Sequence, residues 1–237
     1  MSIAREFGAG YMSMLRPMPL ARLTRVLVCV LAFTSACGDA PTGRRDLQEA
    51  GGEISAGVVD WNRRAIAFRS PGWTFEFCEG EGPFLCVARG NAHVGSVELL
   101  RLPVDRHSTI TEVLDRGGSE VEALKAAAAE FVATLSADRR VGLGENYRLH
   151  AEPPAEATVM GTTGLRVVVE GGVADQVDER VVQYYVIHRD SLYLLTATGS
   201  AGGGPLGEFA TGDLRAFEPL FSEIAAVSRV SDSTQVR

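Results

Sequence analysis

Two hydrophobic periods follow one another along this chain, and together they predict strands, a helix, more strands and a closing helix. Apolar and polar residues alternate at Thr74–Cys78 and at Phe84–Ala88. Between them lies the glycine-rich turn Glu79-Gly-Glu-Gly-Pro83, so the two runs read as a β-hairpin. A short strand is expected before it at Ala65–Arg69, and another after it across His93–Val104, ended by Pro103. The period then becomes helical. One or two turns are expected over Thr109–Leu114, capped by Ser108 or Thr109 with Glu112 in capping-box range. Glu120–Leu135 reads as a full helix, with Val121, Leu124, Ala128, Phe131 and Leu135 forming one apolar stripe. Strands resume at Tyr147–Ala151, Leu165–Glu170, Glu179–His188 and Leu192–Thr198, all rich in Val, Tyr, Leu or Thr. The last two flank Arg189-Asp190-Ser191 and should form a hairpin. Several of these strands are apolar on both faces, which calls for a sheet covered on both sides. Gly199–Gly212 reads as a loop, and Asp213 as the cap of a short turn. Pro219 reads as the start of a last helix through Val227, with Leu220, Phe221, Ile224 and Val227 inward. The fold class that follows is α+β: one domain over residues 58–230, an antiparallel sheet covered by helices in an α/β/α sandwich-like arrangement. Residues 231–237 read as a disordered polar tail.

The first 36 residues follow neither period and read as a signal peptide. Arg16, Arg22 and Arg25 make a positive region before the short apolar run Val26–Thr34. A bilayer-spanning helix needs about 20 apolar residues, and this run is roughly half that. Either Met1 or Met14 serves as the start, Met14 giving a leader of more ordinary length. Thr34-Ser35-Ala36-Cys37 resembles the lipobox of bacterial lipoproteins, with Thr34 where leucine is usual. That resemblance implies diacylglycerol on the thiol of Cys37 and cleavage just before it. The other reading is an ordinary secretory signal cut after Ala36 or Ala40, leaving a secreted or periplasmic soluble protein. Residues 37–57 are rich in glycine, small residues and charge, and read as a flexible tether.

Cysteine usage agrees with export. Of four cysteines, Cys29 lies in the leader and Cys37 is the expected lipid acceptor, which leaves Cys78 and Cys86. In an oxidising compartment such a pair becomes a disulfide. Folding the hairpin about Gly82 sets Cys78 opposite Cys86 and Phe77 opposite Val87. It places Phe75, Phe77, Leu85 and Val87 on one core-facing side. The spacing is not that of a redox Cys-x-x-Cys, and no histidine or third cysteine lies near for a metal.

Charge changes the picture once. The net charge is −7, but residues 1–36 carry four arginines and one acid, +3, so the remainder carries −10. An acidic body repels phosphate backbones, so no nucleic-acid partner is expected. The 46% hydrophobic and 22% charged content is that of a globular protein, neither a multi-span membrane protein nor a disordered chain.

Candidate chemistry is sparse. Gly202–Gly207 formally satisfies G-x-G-x-x-G after a strand, but Pro205 interrupts it, the last helix is expected well downstream, and no parallel strand is expected to follow. His93, His107, His150 and His188 match no metal or nucleophile motif. Asp175, Asp178 and Glu179 form an acidic loop that reads as a solvated turn or a weak cation site. Trp61, Trp73, Tyr184, Tyr185 and Tyr193 could line an apolar pocket or pack as core and cross-strand pairs. No catalytic residue, metal ligand or cofactor is expected.

The opening Ser70-Pro-Gly-Trp-Thr-Phe-Glu-Phe77, the mid-chain helix after the fourth strand, the hairpin Gln183–Thr196 and the closing helix together resemble the PsbP-like family over about residues 58–230. That family includes extrinsic photosystem II proteins and many bacterial envelope lipoproteins. The resemblance implies an antiparallel sheet between helices and an accessory or binding role without catalysis. No site of the family maps onto this chain residue by residue. The leading expectation is a non-catalytic envelope lipoprotein, anchored to a membrane at Cys37, whose domain binds another envelope protein. The alternatives are a carrier of a small apolar ligand or lipid, and an enzyme whose site assembles only in three dimensions.

Overall fold

The structure is a computed structural model, which describes residues 57–79, 82–174, 176–203 and 207–231. The leader, Cys37, nearly all of the tether and the end of the tail therefore lie outside the described residues.

Among the described residues twelve strands and three α-helices follow in chain order, with one 3-10 turn at Val104–Arg106. Strands β1 (Val59–Asp60), β2 (Ala65–Ile66), β3 (Trp73–Phe77), β4 (Phe84–Arg89) and β5 (Ala92–Pro103) come first. Helices α1 (Ser108–Asp115) and α2 (Glu120–Leu143) come next. Then come β6 (Tyr147–Ala151), β7 (Ala155–Val159), β8 (Thr162–Val173), β9 (Glu179–His188), β10 (Ser191–Ser200) and β11 (Phe209–Ala210). Helix α3 (Thr211–Val227) and strand β12 (Ser228–Arg229) close the domain.

The main sheet has the order β3-β4-β5-β10-β9-β8-β6 and is antiparallel along that path. Its middle strands are buried on both faces because alternate residues meet different helices. On β9, Val182, Tyr184 and Val186 join the core under α3, while Val181 and Tyr185 join the core under α1 and α2. The expected α+β sandwich is thus the observed architecture, in three layers.

Several boundaries differ from the sequence reading, each for a physical reason. Strand β7 was not expected. It continues the edge begun by β6 along the same neighbour β8, and Pro153-Pro154 separates the two. Three residues there face two on β8, a bulge placed where the missing proline N–H groups cost no ladder bond. Helix α3 begins at Thr211, so Pro219 lies inside it and does not start it. Pro219 sits on the exposed side, where the carbonyl it leaves unpaired can meet water. The inward side buries Leu214, Phe217, Leu220, Phe221, Ile224 and Ala225, which outweighs the local penalty. Asp213 lies in the first turn of α3, while Ala210 is the cap residue. At α1 the cap residue is His107, without a side-chain capping bond, in place of Ser108 or Thr109. Helix α2 runs two turns past Leu135 and starts from a capping box in which the Ser119 and Glu122 side chains each bond the other's backbone N–H.

The cysteine hairpin forms with a register two residues away from the expected one. Phe77 faces Leu85 and Glu76 faces Cys86. A shift of two keeps every side chain on its face, so Phe75, Phe77, Leu85 and Val87 still turn to the α3 core. Cys78 and Cys86 then meet diagonally, with Cα atoms 5.1 Å apart, and are joined in a disulfide. Closing so short a loop contributes about 2–3 kcal/mol in the chain-entropy account.

The two ends of the domain are fastened together. Strand β1 pairs in parallel with β12, so the last residues of the expected domain are sheet. The Trp61 indole N–H donates to Ser228 Oγ at 3.1 Å, and the Ser228 hydroxyl donates to the Ile224 carbonyl. Buried Asp60 accepts hydrogen bonds from Arg229 Nε at 3.1 Å and from the Ser231 hydroxyl. Burial alone would raise the Asp60 pKa, but these bonds and the Arg63 N–H outweigh it and hold the carboxyl below its ordinary range.

Candidate functional site

Of the aromatic groups named as pocket or core residues, Trp61, Trp73, Tyr184 and Tyr193 pack in the α3 core and Tyr185 in the core on the other face of the sheet. Phe217 stacks on Phe209 at 5.0 Å and on Phe221 at 5.7 Å, and Trp73 tilts against it at 5.5 Å. Tyr184 meets Phe221 edge-on at 4.9 Å. Gly95 makes room for this cluster, since a Cβ there would run into the Phe209 ring. Phe209 arrives on β11, which pairs in parallel with the end of β10, while the Ser96 N–H donates to the Gly207 carbonyl at 2.7 Å. The glycine-rich segment thus delivers an aromatic wedge to the core. It differs from the sequence reading in two ways: a short parallel strand does follow it, and α3 starts at Thr211. A two-residue strand ahead of the helix is still not the βαβ turn that cradles a dinucleotide.

Buried charge is concentrated beside α3. Arg180, with a side chain only 9% exposed, donates to Glu218 at 2.7 Å and also to Glu170. Arg166 donates to the other oxygen of Glu218 and to Glu152 at 3.3 Å. Arg215 closes the chain of pairs on Glu170 at 2.9 Å. Strands β8 and β9 are thereby tied to α3 by alternating signs. Burial alone would raise the pKa of Glu170, but the hydrogen bonds and charges of Arg215 and Arg180 hold it below the ordinary range. Burial alone would lower Arg180 and Arg166, and Glu218 reverses that for both, so the guanidiniums stay charged. Three arginines against three glutamates leave the network balanced, with Arg180 and Glu218 at its buried centre and Arg215 and Glu152 at its exposed ends.

A second cluster lies on the opposite face of the sheet. Arg139 of α2 grips Glu179 with two N–H groups, one at 2.7 Å, and the Tyr147 hydroxyl donates to the same carboxylate at 3.2 Å. Gly171 leaves the space that this hydroxyl occupies. Burial and then the Glu179 charge push the Tyr147 pKa up, so it remains a donor. Glu179 is therefore no solvated turn residue: it is a buried ion-pair partner on β9. Asp175 lies outside the described residues, and Asp178 sits in the loop before β9.

A neutral polar line lies on the same face of the sheet as Glu179. The Tyr185 hydroxyl donates to Gln183 Oε1 at 2.5 Å, and Gln183 Nε2 donates to Thr196 at 3.2 Å. Glu98 faces Thr196 across the β5–β10 pair and Phe84 across the β4–β5 pair. Burial raises the pKa of Glu98. A raised carboxyl pKa stabilises the fold below the unfolded value, and that contribution is lost as pH rises through the folded value. Glu98→Gln should therefore raise Tm at pH 7 and leave it unchanged near pH 3, as thermal melts at the two pH values would read. A lower Tm at pH 7 would mean that the charged form makes a favourable bond.

The histidines fall on separate elements: His93 on β5, His107 before α1, His150 on β6 and His188 at the end of β9. His107 is buried, and that burial lowers its pKa while Glu130 opposes the effect. Of the remaining sequence-marked residues, Cys78 and Cys86 meet, Trp61, Trp73, Tyr184 and Tyr193 turn to the α3 side, and Tyr185 turns to the other. Cys37 lies outside the described residues. Of the ionic residues, sequence reasoning marked only Glu179, in another role, and missed Arg139, Arg166, Glu170, Arg180 and Glu218. Its one available signal was charge inside otherwise apolar strands: Arg166 and Glu170 flank Val167-Val-Val169, and Glu179-Arg180 opens Val181-Val182.

Among the described residues no group of three His, Cys, Asp or Glu side chains could hold a metal ion. No helix among them is long and apolar enough to cross a membrane. No protein-family model and no curated protein matches the chain. Among solved structures the chain is similar to the solution structure of cyanobacterial PsbP from Synechocystis sp. PCC 6803. The two are 11% identical over 69% of this chain and 84% of that one, with a TM-score of 0.42.

Proposed function

We propose that this chain is a non-catalytic accessory protein of the bacterial cell envelope, held to a membrane by a lipid on Cys37, whose α+β domain binds another envelope component. The observation that carries the reading is how the buried ionic groups are used. Arg139, Arg166 and Arg180 are each held by carboxylates from neighbouring elements, so this charge serves to lock strands to helices. The disulfide between Cys78 and Cys86 supports an oxidising compartment. The resemblance of residues 58–230 to the PsbP-like family implies the same kind of role. The stacked Phe209, Phe217 and Phe221 favour a surface function over an interior ligand site, because rings in mutual contact leave no space between them.

The test is fractionation of the native protein with mass spectrometry of its N-terminus. Wild-type chain should sediment with membranes and carry a diacylglyceryl adduct on Cys37, and Cys37→Ser should move it to the soluble fraction. A wild-type protein that is soluble and bears a bare N-terminus would overturn the anchor. A co-purifying small ligand in the domain would overturn the accessory reading and restore the carrier.

A further inference from the structure

Between β5 and α2 the chain forms a strap with a break at each end. It leaves β5 through the turn Val104–Arg106, passes His107 into α1, and reaches α2 through Gly117 and Gly118. The Val104 N–H donates to the Asp190 carbonyl at 3.0 Å, which fixes the root of the strap to the β9–β10 hairpin. At the other break Gly117 has φ +82°, a left-handed conformation that turns the chain out of α1. Between the breaks, Ile110 is the buried residue of α1. It joins the core cluster of Leu192 and Leu194 on β10, with Leu100 and Leu102 of β5 packed against that cluster. An eight-residue helix is too short to hold by itself, so this apolar anchor and the surroundings of the first turn decide whether α1 stays down.

His107 stands at the start of α1 and is 3% exposed. Its carbonyl accepts from the Thr111 N–H at 3.0 Å, which begins the helix, while its side chain makes no capping bond. The N–H groups of a first turn make that end of a helix positive. A proton on the ring therefore meets burial and a positive helix end together, and both oppose it. The charged group acting on the ring from α2 is Glu130, whose carboxylate accepts from the Thr109 hydroxyl and favours the charged ring. On its own segment Asp105 and Arg106 precede it with opposite charges, and Leu100, Leu102, Leu192 and Leu194 bring no charge from the sheet. Burial is the largest of these influences and holds the His107 pKa below its ordinary range.

We propose that this strap is a pH-sensitive latch: protonation of His107 lifts α1 from α2 and the sheet, and bares the apolar residues around Ile110. The closed strap keeps the ring out of water, and the open strap returns it to water, where the ordinary pKa is about 6.5. The closed form thus binds the proton less readily than the open one. The ratio of closed to open is independent of pH above about 6.5 and falls by up to about tenfold per unit as the pH drops below that. It levels off once the closed form is protonated as well. The latch depends neither on a lipid at Cys37 nor on an accessory role for the domain.

Hydrogen exchange of the full chain, read by mass spectrometry from about pH 8 to about pH 5 and corrected for the intrinsic effect of pH on amide exchange, tests the latch. The opening constant of α1 should rise at least about threefold toward acid, while that of β9 and β10 changes by less than about twofold. His107→Gln should abolish the rise. Glu130→Gln keeps an acceptor for the Thr109 hydroxyl but removes the charge that favours the protonated ring, so it should enlarge the rise. The His107 ring, followed by NMR in the wild-type chain, should titrate below the ordinary histidine range, a readout that stands even where His107→Gln loosens α1 at every pH. A rise retained in His107→Gln, a rise shared equally by β9 and β10, α1 protection that does not change with pH, or a ring titrating at or above the ordinary range would each overturn the proposal.

Discussion

Replacing Phe217 by alanine should cost about 4 kcal/mol of stability, as large a loss as core truncations normally give. The ring is fully buried and stacks on two others, Phe209 and Phe221, while Trp73 closes on it from the sheet. Removing it strips contacts from three aromatic faces at once. The neighbours cannot collapse into the space easily, because Phe209 is seated against Gly95 and Phe221 against Tyr184. For a domain of this size the loss corresponds to a drop in Tm of roughly 10 °C, measurable by calorimetry or by urea titration. A cost under about 1 kcal/mol would show that the α3 core can be hollowed freely. That result would favour an interior ligand site over the surface function proposed above.

Glu218→Ala should cost about 3 kcal/mol for a different reason. Glu218 receives Arg166 on one oxygen and Arg180 on the other, and Arg180 is almost wholly withdrawn from water. Taking away the shared carboxylate leaves a buried guanidinium without its main partner, which costs more than the pair contributes net. The double variant Arg180→Met with Glu218→Leu should recover most of the loss. It leaves Arg166 on Glu152 and Arg215 on Glu170 as separate pairs, so no buried charge is stranded. A double-mutant cycle in chemical denaturation reads the coupling directly, and additive losses would refute a network. The single-variant loss should also be nearly independent of salt, since buried pairs are poorly screened.

What the chain disclosed beforehand follows its hydrophobic periods. Strands β6 and β9 begin and end where their Val, Tyr and Leu runs do, and the faces of β3 and β4 are right although their register was two residues off. Period two fixes which side a residue takes, and an even shift leaves that unchanged. Helix α3 was read about two turns short, because Pro219 is a local start signal, and burial of Leu214 and Phe217 on the inward side carries the helix back through it. Strand β7 was missed because its pattern, Ala155-Glu-Ala-Thr-Val159, carries little β preference, and only pairing with β8 makes it a strand. The buried acids and arginines were invisible for a similar reason: Arg180 and Glu218 are 38 residues apart, and no local pattern links them.

By itself the sequence determined the α+β class and the inward residues of most elements, since alternation and helical periodicity are local consequences of backbone geometry. It also singled out the two cysteines that pair. The tertiary structure alone decided the order of strands, the wedge that Phe209 drives between β5 and β10, and the ionic lock beside α3. It alone paired β1 with β12, so that the chain enters and leaves the domain side by side. Those features depend on which distant segments share a neighbour, and that is settled only when burial of the whole sheet repays the entropy of closing the long loops between them.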